Sequence, residues 1–452
     1  MRIFVPIGKS IPQWTVGTLF CATSPTGKKM SLETHIAGAE DKLLDSLSFT
    51  GKFSASFVTE RRSVSFAPQT SANITPAGSK LIRFNLADQT GWLLGDTVRL
   101  VFTINNATAN PLTPKTDSPA SLFKRVRLVA NGSAQIEDLE DYGRVHEIFA
   151  RLRSSAERYN DHAEGWGIDA AHHCTLDQPG VADPIPGNKA RTVVVKLLSS
   201  FLRNGKAIPL NMCPVVIELE LDGDANAVFL GSSNSFYLTS PRLIGDVITL
   251  DSALQNSYAN HILTGKQLPF MMHGLYSVRA TIPQGSSMFS LPISRGFTRL
   301  STCYFTFFSS TAGGSWVNYF AAPLTHAVGN TDNTTETDQC SWNLTVGAER
   351  YPQFDVTSIQ ESWHRLAVAQ RMHTSRETFS ISPWQYRTTK FIGAMNFEKA
   401  LGEAGHTGVN TRSGSQLTLN FRGLPADIDT IHVILHFEVA VNVSAAGIEV
   451  LD

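Results

Sequence analysis

IEDLEDYGRVHEIFARLR, residues 136–153, is the stretch whose reading decides the fold. Ile136, Leu139, Tyr142, Val145, Phe149 and Leu152 recur at the three- and four-residue spacing of one helix face. The same segment gathers Glu137, Asp138, Glu140, Asp141, His146 and Glu147, groups able to serve acid–base catalysis or metal binding. Two readings compete, an active-site helix and a piece of scaffold. The order of charge favours scaffold. The carboxylates crowd the start, where the positive end of the helix dipole stabilises them, and Arg144, Arg151 and Arg153 lie toward the other end. An apolar stripe on the core with charges turned outward accounts for the rest.

A helix is unusual in this chain, which otherwise reads as strands. VRLVFTI (98–104), RVRLVA (125–130), RTVVVKLL (191–198), VVIELEL (215–221), RLSTCYFTFF (299–308), QLTLNF (416–421) and IHVILHFEVAVNV (431–443) are short apolar or alternating runs. Clusters such as NNATANPLTP, DGDANA, STAGGS and GNTDNTTETD separate them. Short strands punctuated by turns predict antiparallel sandwiches or barrels, not a parallel sheet alternating with helices.

Two further segments have helical period. SIQESWHRLAVAQRM (358–372) places Ile359, Trp363 and Leu366 on one face, and Ser358 followed by Glu361 fits a capping box. ITLDSALQNSYANHIL (248–263) is a weaker third. The first two resemble each other, Glu140-x-Tyr142-x-Arg144-Val145 matching Glu361-x-Trp363-x-Arg365-Leu366 at an offset of 221. Each follows a strand ending in a Gly turn, LVANG (128–132) and LTVG (344–347). Arg99-Leu100 pairs with Arg299-Leu300 at an offset of 200, and VVIELEL and HVILHFEV stand a similar distance apart. Matches in one order at nearly constant spacing predict two copies of one β-sandwich, joined near residues 245–275.

Composition narrows the function. With 42% hydrophobic and 17% charged residues, the chain can bury large cores, and 452 residues are enough for two or three domains. A net charge of -1 with no basic tail argues against strong direct binding to nucleic acid. Cys21, Cys174, Cys213, Cys303 and Cys340 are scattered, odd in number and form no CxxC pair, so neither a disulfide framework nor a zinc ribbon is expected. MRIFVPIGKSIPQW lacks a secretory signal pattern, and no apolar run is long enough to span a bilayer. The N-x-S/T matches at Asn73, Asn106, Asn131, Asn333, Asn343 and Asn442 are therefore read as chance in a Ser/Thr/Asn-rich chain.

Each candidate for chemistry has a simpler explanation. PIGKS (6–10) lacks the first glycine of a phosphate loop, with Ile3 in its place. DHAEGWGIDAAHHC (161–174) offers His162, Glu164, Asp169, His172, His173 and Cys174, but at no standard metal-ligand spacing, and it reads as a polar loop. His432 and His436 share a strand face roughly 13 Å apart, too far for one ion. No H-x-H of the cupin type and no G-x-S-x-G occur. Cys303 lies in an apolar strand, as a buried thiol would. Glu218 and Glu220 share a strand face that a solvent-facing or interface edge explains more simply than glycoside hydrolysis. No catalytic, cofactor-binding or metal-binding residue is expected, and no cofactor.

Taken as an ordered set, several segments resemble the double jelly-roll major capsid proteins of DNA viruses, in particular those of virophages and Polinton-like viruses. IRFNLADQTGWLLGDTVRLVFTINN (82–106) looks like the family's opening strands with a Gly-Trp turn between them. SLFKRVRLVANGSAQIEDLEDYGRVHEIF (121–149) is similar to the strand, turn and helix of the first jelly roll. WNLTVGAERYPQFDVTSIQESWHRL (342–366) resembles the second-half counterpart, and the segment from about 391 to 450 the final strands. The resemblance implies an all-β fold of two tandem jelly-roll sandwiches, 50–245 and 276–452, with a linker at 246–275 and an N-terminal arm at 1–49. It further implies a non-enzymatic homotrimer of nearly hexagonal outline, tiled into an icosahedral shell with minor capsid and penton proteins as partners. Such a protein resides in the virion and is assembled inside the host cell. A two-sandwich glycan-binding protein or glycan-active enzyme, and a minor capsid or vertex protein, are the alternatives.

Overall fold

The computed structural model describes residues 57–69, 73–114, 116, 118–130, 134–154, 165–166, 184–231, 233–283, 286, 288–308, 340–370, 379–381, 385–386, 390–399, 407–412, 414–424, 428–445 and 447–451. The expected arm at 1–49, PIGKS and the whole His162–Cys174 loop except Gly165 and Trp166 lie outside these residues.

Among the described residues there are four antiparallel sheets, paired into two sandwiches. In the first, the strands in chain order are Val58–Phe66, Leu81–Leu86, Gly91–Asn106, Phe123–Ala130, Ala134–Glu140, Ala190–Val195 with Ala207–Pro209, Val215–Leu221 and Phe236–Leu250. The first, eighth, third and sixth form one sheet; the second, seventh, fourth and fifth form the other. In the second sandwich the strands are Leu268–Thr281, Met288–Pro292, Leu300–Phe308, Ser341–Val346, Glu349–Val356, Gly393–Asn396, Leu417–Arg422 and Thr430–Ser444. They pair in the same two orders, and Gly447–Leu451 adds to the eighth. Two eight-position jelly rolls with one connectivity confirm the duplication. Each apolar run singled out above lies wholly or mainly on one of these strands; alternation sends the apolar face inward in strands such as Leu81–Leu86, whose residues are exposed and buried in turn, whereas Leu300–Phe308 is buried on both faces.

The duplication differs in detail from its sequence signature. The helices Tyr142–Arg151 and Ile359–Ala369 both follow the fifth strand, and their starts lie 217 apart (359 minus 142), one turn short of the motif match. Leu100 and Leu300 both sit on third strands paired to eighth strands. VVIELEL, however, is a seventh strand, whereas HVILHFEV belongs to an eighth; the true partner of VVIELEL is Leu417–Arg422.

The deciding stretch is itself divided. Residues 134–140 are the fifth strand, and the helix begins only at Tyr142, after Asp141 adopts a left-handed backbone at φ 50°. A bulge explains why this strand mimics a helix. Gln135 pairs with Val129 and Glu137 with Leu128, which leaves Ile136 as the extra residue. The bulge shifts the alternation, so Ile136 and Leu139 are both buried at a spacing of three. The carboxylates therefore do not cap a helix dipole; no acidic residue stands in the first helical turn. The second helix behaves as expected, with Ser358 Oγ accepting from the Glu361 N–H at 3.2 Å. The third begins at Ser252, its expected first residues being the end of the eighth strand.

Candidate functional site

The groups gathered in 136–153 point to different neighbours. Glu137 accepts from Ser199 Oγ at 2.6 Å and from the backbone N–H groups of Ser200 and Phe201 at 2.7 and 2.9 Å, fixing the turn that follows the sixth strand. Burial outweighs these bonds and raises its pKa above the usual carboxylate value. Asp138 and Glu140 join a cross-strand ladder on the outer face of the sheet. Arg83 and Arg127 each reach Glu218 at 3.3 Å, Arg127 reaches Asp138 at 3.8 Å, and Arg125 binds Asp138 at 2.7 Å and approaches Glu140 at 4.0 Å. This alternation of sign across four strands explains Glu218 as a surface residue between two arginines.

The helix places its own polar groups elsewhere again. The His146 ring lies 2.7 Å from Ser118 Oγ through Nδ1 and 3.2 Å from the Lys196 carbonyl through Nε2. A carbonyl only accepts, so Nε2 carries a proton and donates to it, while the serine hydroxyl is the partner of Nδ1. Glu147 and Arg151, expected to face water, are buried and joined at 2.6 Å one turn apart. Their side chains turn inward because the helix is not on a free surface.

It lies at the seam between the sandwiches. Tyr142, Val145 and Ile148 pack into the first sandwich, and Gly143 lets the helix approach the turn Pro119–Leu122 so closely that a Cβ would stand 2.7 Å from Ser121 Cα. On the opposite side Phe149 meets Tyr304 edge-on at 5.5 Å, and the Arg144 guanidinium lies 4.2 Å over the Phe308 ring. The last turn is tied to the second half as well. Ser380 donates to the Arg151 carbonyl through Oγ at 2.9 Å and to the Arg153 carbonyl through its N–H at 2.8 Å. Beyond the helix, Phe201 meets Phe270 at 5.6 Å, Lys206 donates to the Pro269 carbonyl at 2.8 Å, and Ser277 Oγ donates to the Glu140 carbonyl at 2.6 Å. The buried apolar residues of both halves form one continuous cluster.

His432 is at this seam too. It is fully buried, stands opposite Arg279 and Thr306 in the strand register, and lies 6.2 Å from the Phe308 ring. Neither ring nitrogen has a hydrogen-bond partner. Burial, reinforced by Arg144 and Arg279, pushes its pKa down to about 3 and keeps it neutral. His436 instead lies against His273, the ring centroids 4.8 Å apart and the planes tilted by 34°, beside Ser301. Cys213, Cys303 and Cys340 are buried thiols; burial raises all three, Cys213 and Cys340 to about 12. Among the described residues no three His, Cys, Asp or Glu side chains converge as metal ligands.

The seam residues of the second half, Phe270, Tyr304, Phe308 and Ser380, carry no sequence signal of their role. Periodicity marks them only as inward or outward on their own strand or loop.

No protein-family model matches the chain, and no curated protein does. Solved structures do. It superposes on a chain of the PBCV-1 virus capsid with TM-score 0.57 at 12% identity, over 90% of this chain and 100% of that one. The Faustovirus major capsid protein gives 0.55 at 8% identity, over 90% of this chain and 94% of that one. A chain of the Sputnik virophage gives 0.54 at 8% identity, over 91% and 92%. Likeness at such identity concerns the backbone, and it agrees with the strand order found here: the chain has the double jelly-roll fold of viral major capsid proteins.

Proposed function

We propose that this chain is the major capsid protein of a DNA virus, forming homotrimeric capsomers of pseudo-hexagonal outline that tile an icosahedral shell around the genome. The observation that carries the reading is the pair of sandwiches of identical connectivity, fused along one apolar seam into a single block. A rigid two-sandwich block suits a tile, whose neighbours must meet the same surfaces at every position. On this reading the domains are an arm at 1–49, jelly rolls at 50–245 and 276–452, and a linker at 246–275. The protein's work is structural rather than catalytic. In support, Glu137 holds a turn, Asp138, Glu140 and Glu218 belong to a cross-strand ion ladder, and His146 and Glu147 bind neighbouring groups at the helix. The near-neutral charge favours leaving genome contact to other proteins, with minor capsid and penton proteins as partners in the virion, assembled inside the host cell.

Expression of the full chain followed by native mass measurement and negative-stain imaging tests this. Trimers with hexagonal outline, alone or in shells, support it. A stable monomer that forms neither contradicts it.

A further inference from the structure

The turn after the sixth strand of the first sandwich, residues 196–206, gathers positive charge. Lys196 stands one residue beyond Val195, which pairs with Leu100, so it comes beside Arg99 on the third strand. Arg203 reaches the same place from the other side. Gly95 lets the third strand pack directly on the Leu202 carbonyl, where any side chain would collide. Arg153, just past the helix Tyr142–Arg151, adds its charge at the margin. These cations are close enough to act on one another. Burial, then Arg203 and Arg99, lowers the pKa of Lys196; partial burial of its head group, then Arg153 and Arg99, lowers that of Arg203.

No carboxylate answers them in full. Among the described residues neither the Lys196 nor the Arg203 side chain has a hydrogen-bond or ion-pair partner. The Arg99 guanidinium bonds only the carbonyls of Asp96 and Val98, at 2.8 and 2.9 Å, which are neutral acceptors. Asp96 is the one exposed carboxylate acting on Lys196 and Arg203. Glu137 lies beneath, with its oxygens taken by Ser199, Ser200 and Phe201. Elsewhere on this sandwich arginines are matched: Arg61 with Asp246, Arg62 with Asp88 and Arg125 with Asp138.

We propose that Arg99, Lys196 and Arg203 form a binding site for a small multivalent phosphate anion. Guanidinium and ammonium groups suit phosphate oxygens, through forked and single hydrogen bonds respectively. The turn is rigid before any anion arrives, which lowers the ordering cost of binding. Glu137 clamps it, Leu202 donates its N–H to Ser199 Oγ at 3.2 Å, and Asn204 donates through Nδ2 to the Phe201 carbonyl at 2.7 Å. The cations converge on one turn, as a compact anion requires; a nucleic-acid strand calls for a run of cations along its path. The site belongs to a single chain, so the inference stands whether or not the chains assemble into a shell.

Calorimetric titration of the full chain with sodium tripolyphosphate, at pH 7.5 and low salt, tests it. The expected result is one anion per chain, an affinity that falls as sodium chloride is added, and a raised melting temperature. Arg203→Gln and Lys196→Gln should each weaken binding about tenfold, the loss of one charged hydrogen bond. Arg203→Lys should retain most of the affinity. Lys124→Gln, on the fourth strand in the other sheet, should leave it unchanged. The two neutral variants are independent, so the test survives misfolding of either. Absence of saturable binding overturns the inference, as does binding that neither neutral variant weakens. A labelled oligonucleotide that binds through Arg203 and Lys196 while tripolyphosphate does not would also overturn it, in favour of a nucleic-acid strand.

Discussion

His432 makes acid a specific threat to the seam. Its ring is buried between Arg279 on the neighbouring strand and Arg144 on the first sandwich's helix, and its pKa is held at about 3. The unfolded chain returns it to about 6.5. Because the folded value is the lower one, the unfolded state binds more protons between these limits. The histidine's contribution is therefore intact above pH 6.5 and is lost progressively as pH falls toward 3. Between pH 7.5 and 5.0 the loss comes to about 2 kcal/mol, at 1.36 kcal/mol per pH unit below the unfolded value. A chain of 452 residues has an unfolding entropy of roughly 1 kcal/mol/K, so this group should lower the melting temperature by about 2 °C. The perturbation is His432→Leu, which keeps a similar volume and cannot charge. Scanning calorimetry at pH 7.5 and 5.0, at fixed protein concentration, should show wild type losing about 2 °C more than the variant. Every other titrating group is shared and cancels. Equal losses in the two proteins would refute the buried, neutral placement.

Four further outcomes follow from the same contacts. Phe149→Ala and Tyr304→Ala should couple by about 1 kcal/mol in a double-mutant cycle of unfolding free energies, whereas additivity would place the two rings apart. Gly143→Val should destabilise by about 2 kcal/mol or more, because its Cβ meets backbone at Ser121 rather than a movable side chain; a neutral effect in denaturant titration would contradict the close approach. Ser358→Ala should cost about 1 kcal/mol through loss of the bond to the Glu361 N–H, measured the same way. Peptide mapping after maleimide treatment at pH 8 should find Cys213, Cys303 and Cys340 unlabelled in native protein and labelled after denaturation.

The strands were legible because alternation is a local property. Leu81–Leu86 or Val215–Leu221 declares its inward face within a few residues. The duplication was legible as order, though its offsets slipped by a turn at the helix and by one strand position at VVIELEL. Where the reading failed, a non-local cause is visible. The bulge at Ile136 gave a strand the spacing of a helix, and register is set by the partner strand, not by the segment itself. Glu147 and Arg151 are charged residues on the inside because the second sandwich closes over their helix, tied down by Ser380 some 229 residues away in sequence from Arg151. No window of sequence contains both sides of that seam. The helix, expected to brace its own sandwich with its charges facing out, lies between two sandwiches instead.

The central claim is that the fused pair of sandwiches is a capsid tile. Cryo-electron microscopy of the purified full-length chain tests it most directly. The account predicts rings of three chains with six sandwiches around them, free or tiled in shells, with the helix Tyr142–Arg151 at the joint inside each chain. Particles of a single chain, or assemblies whose subunits meet without forming such rings, would contradict it.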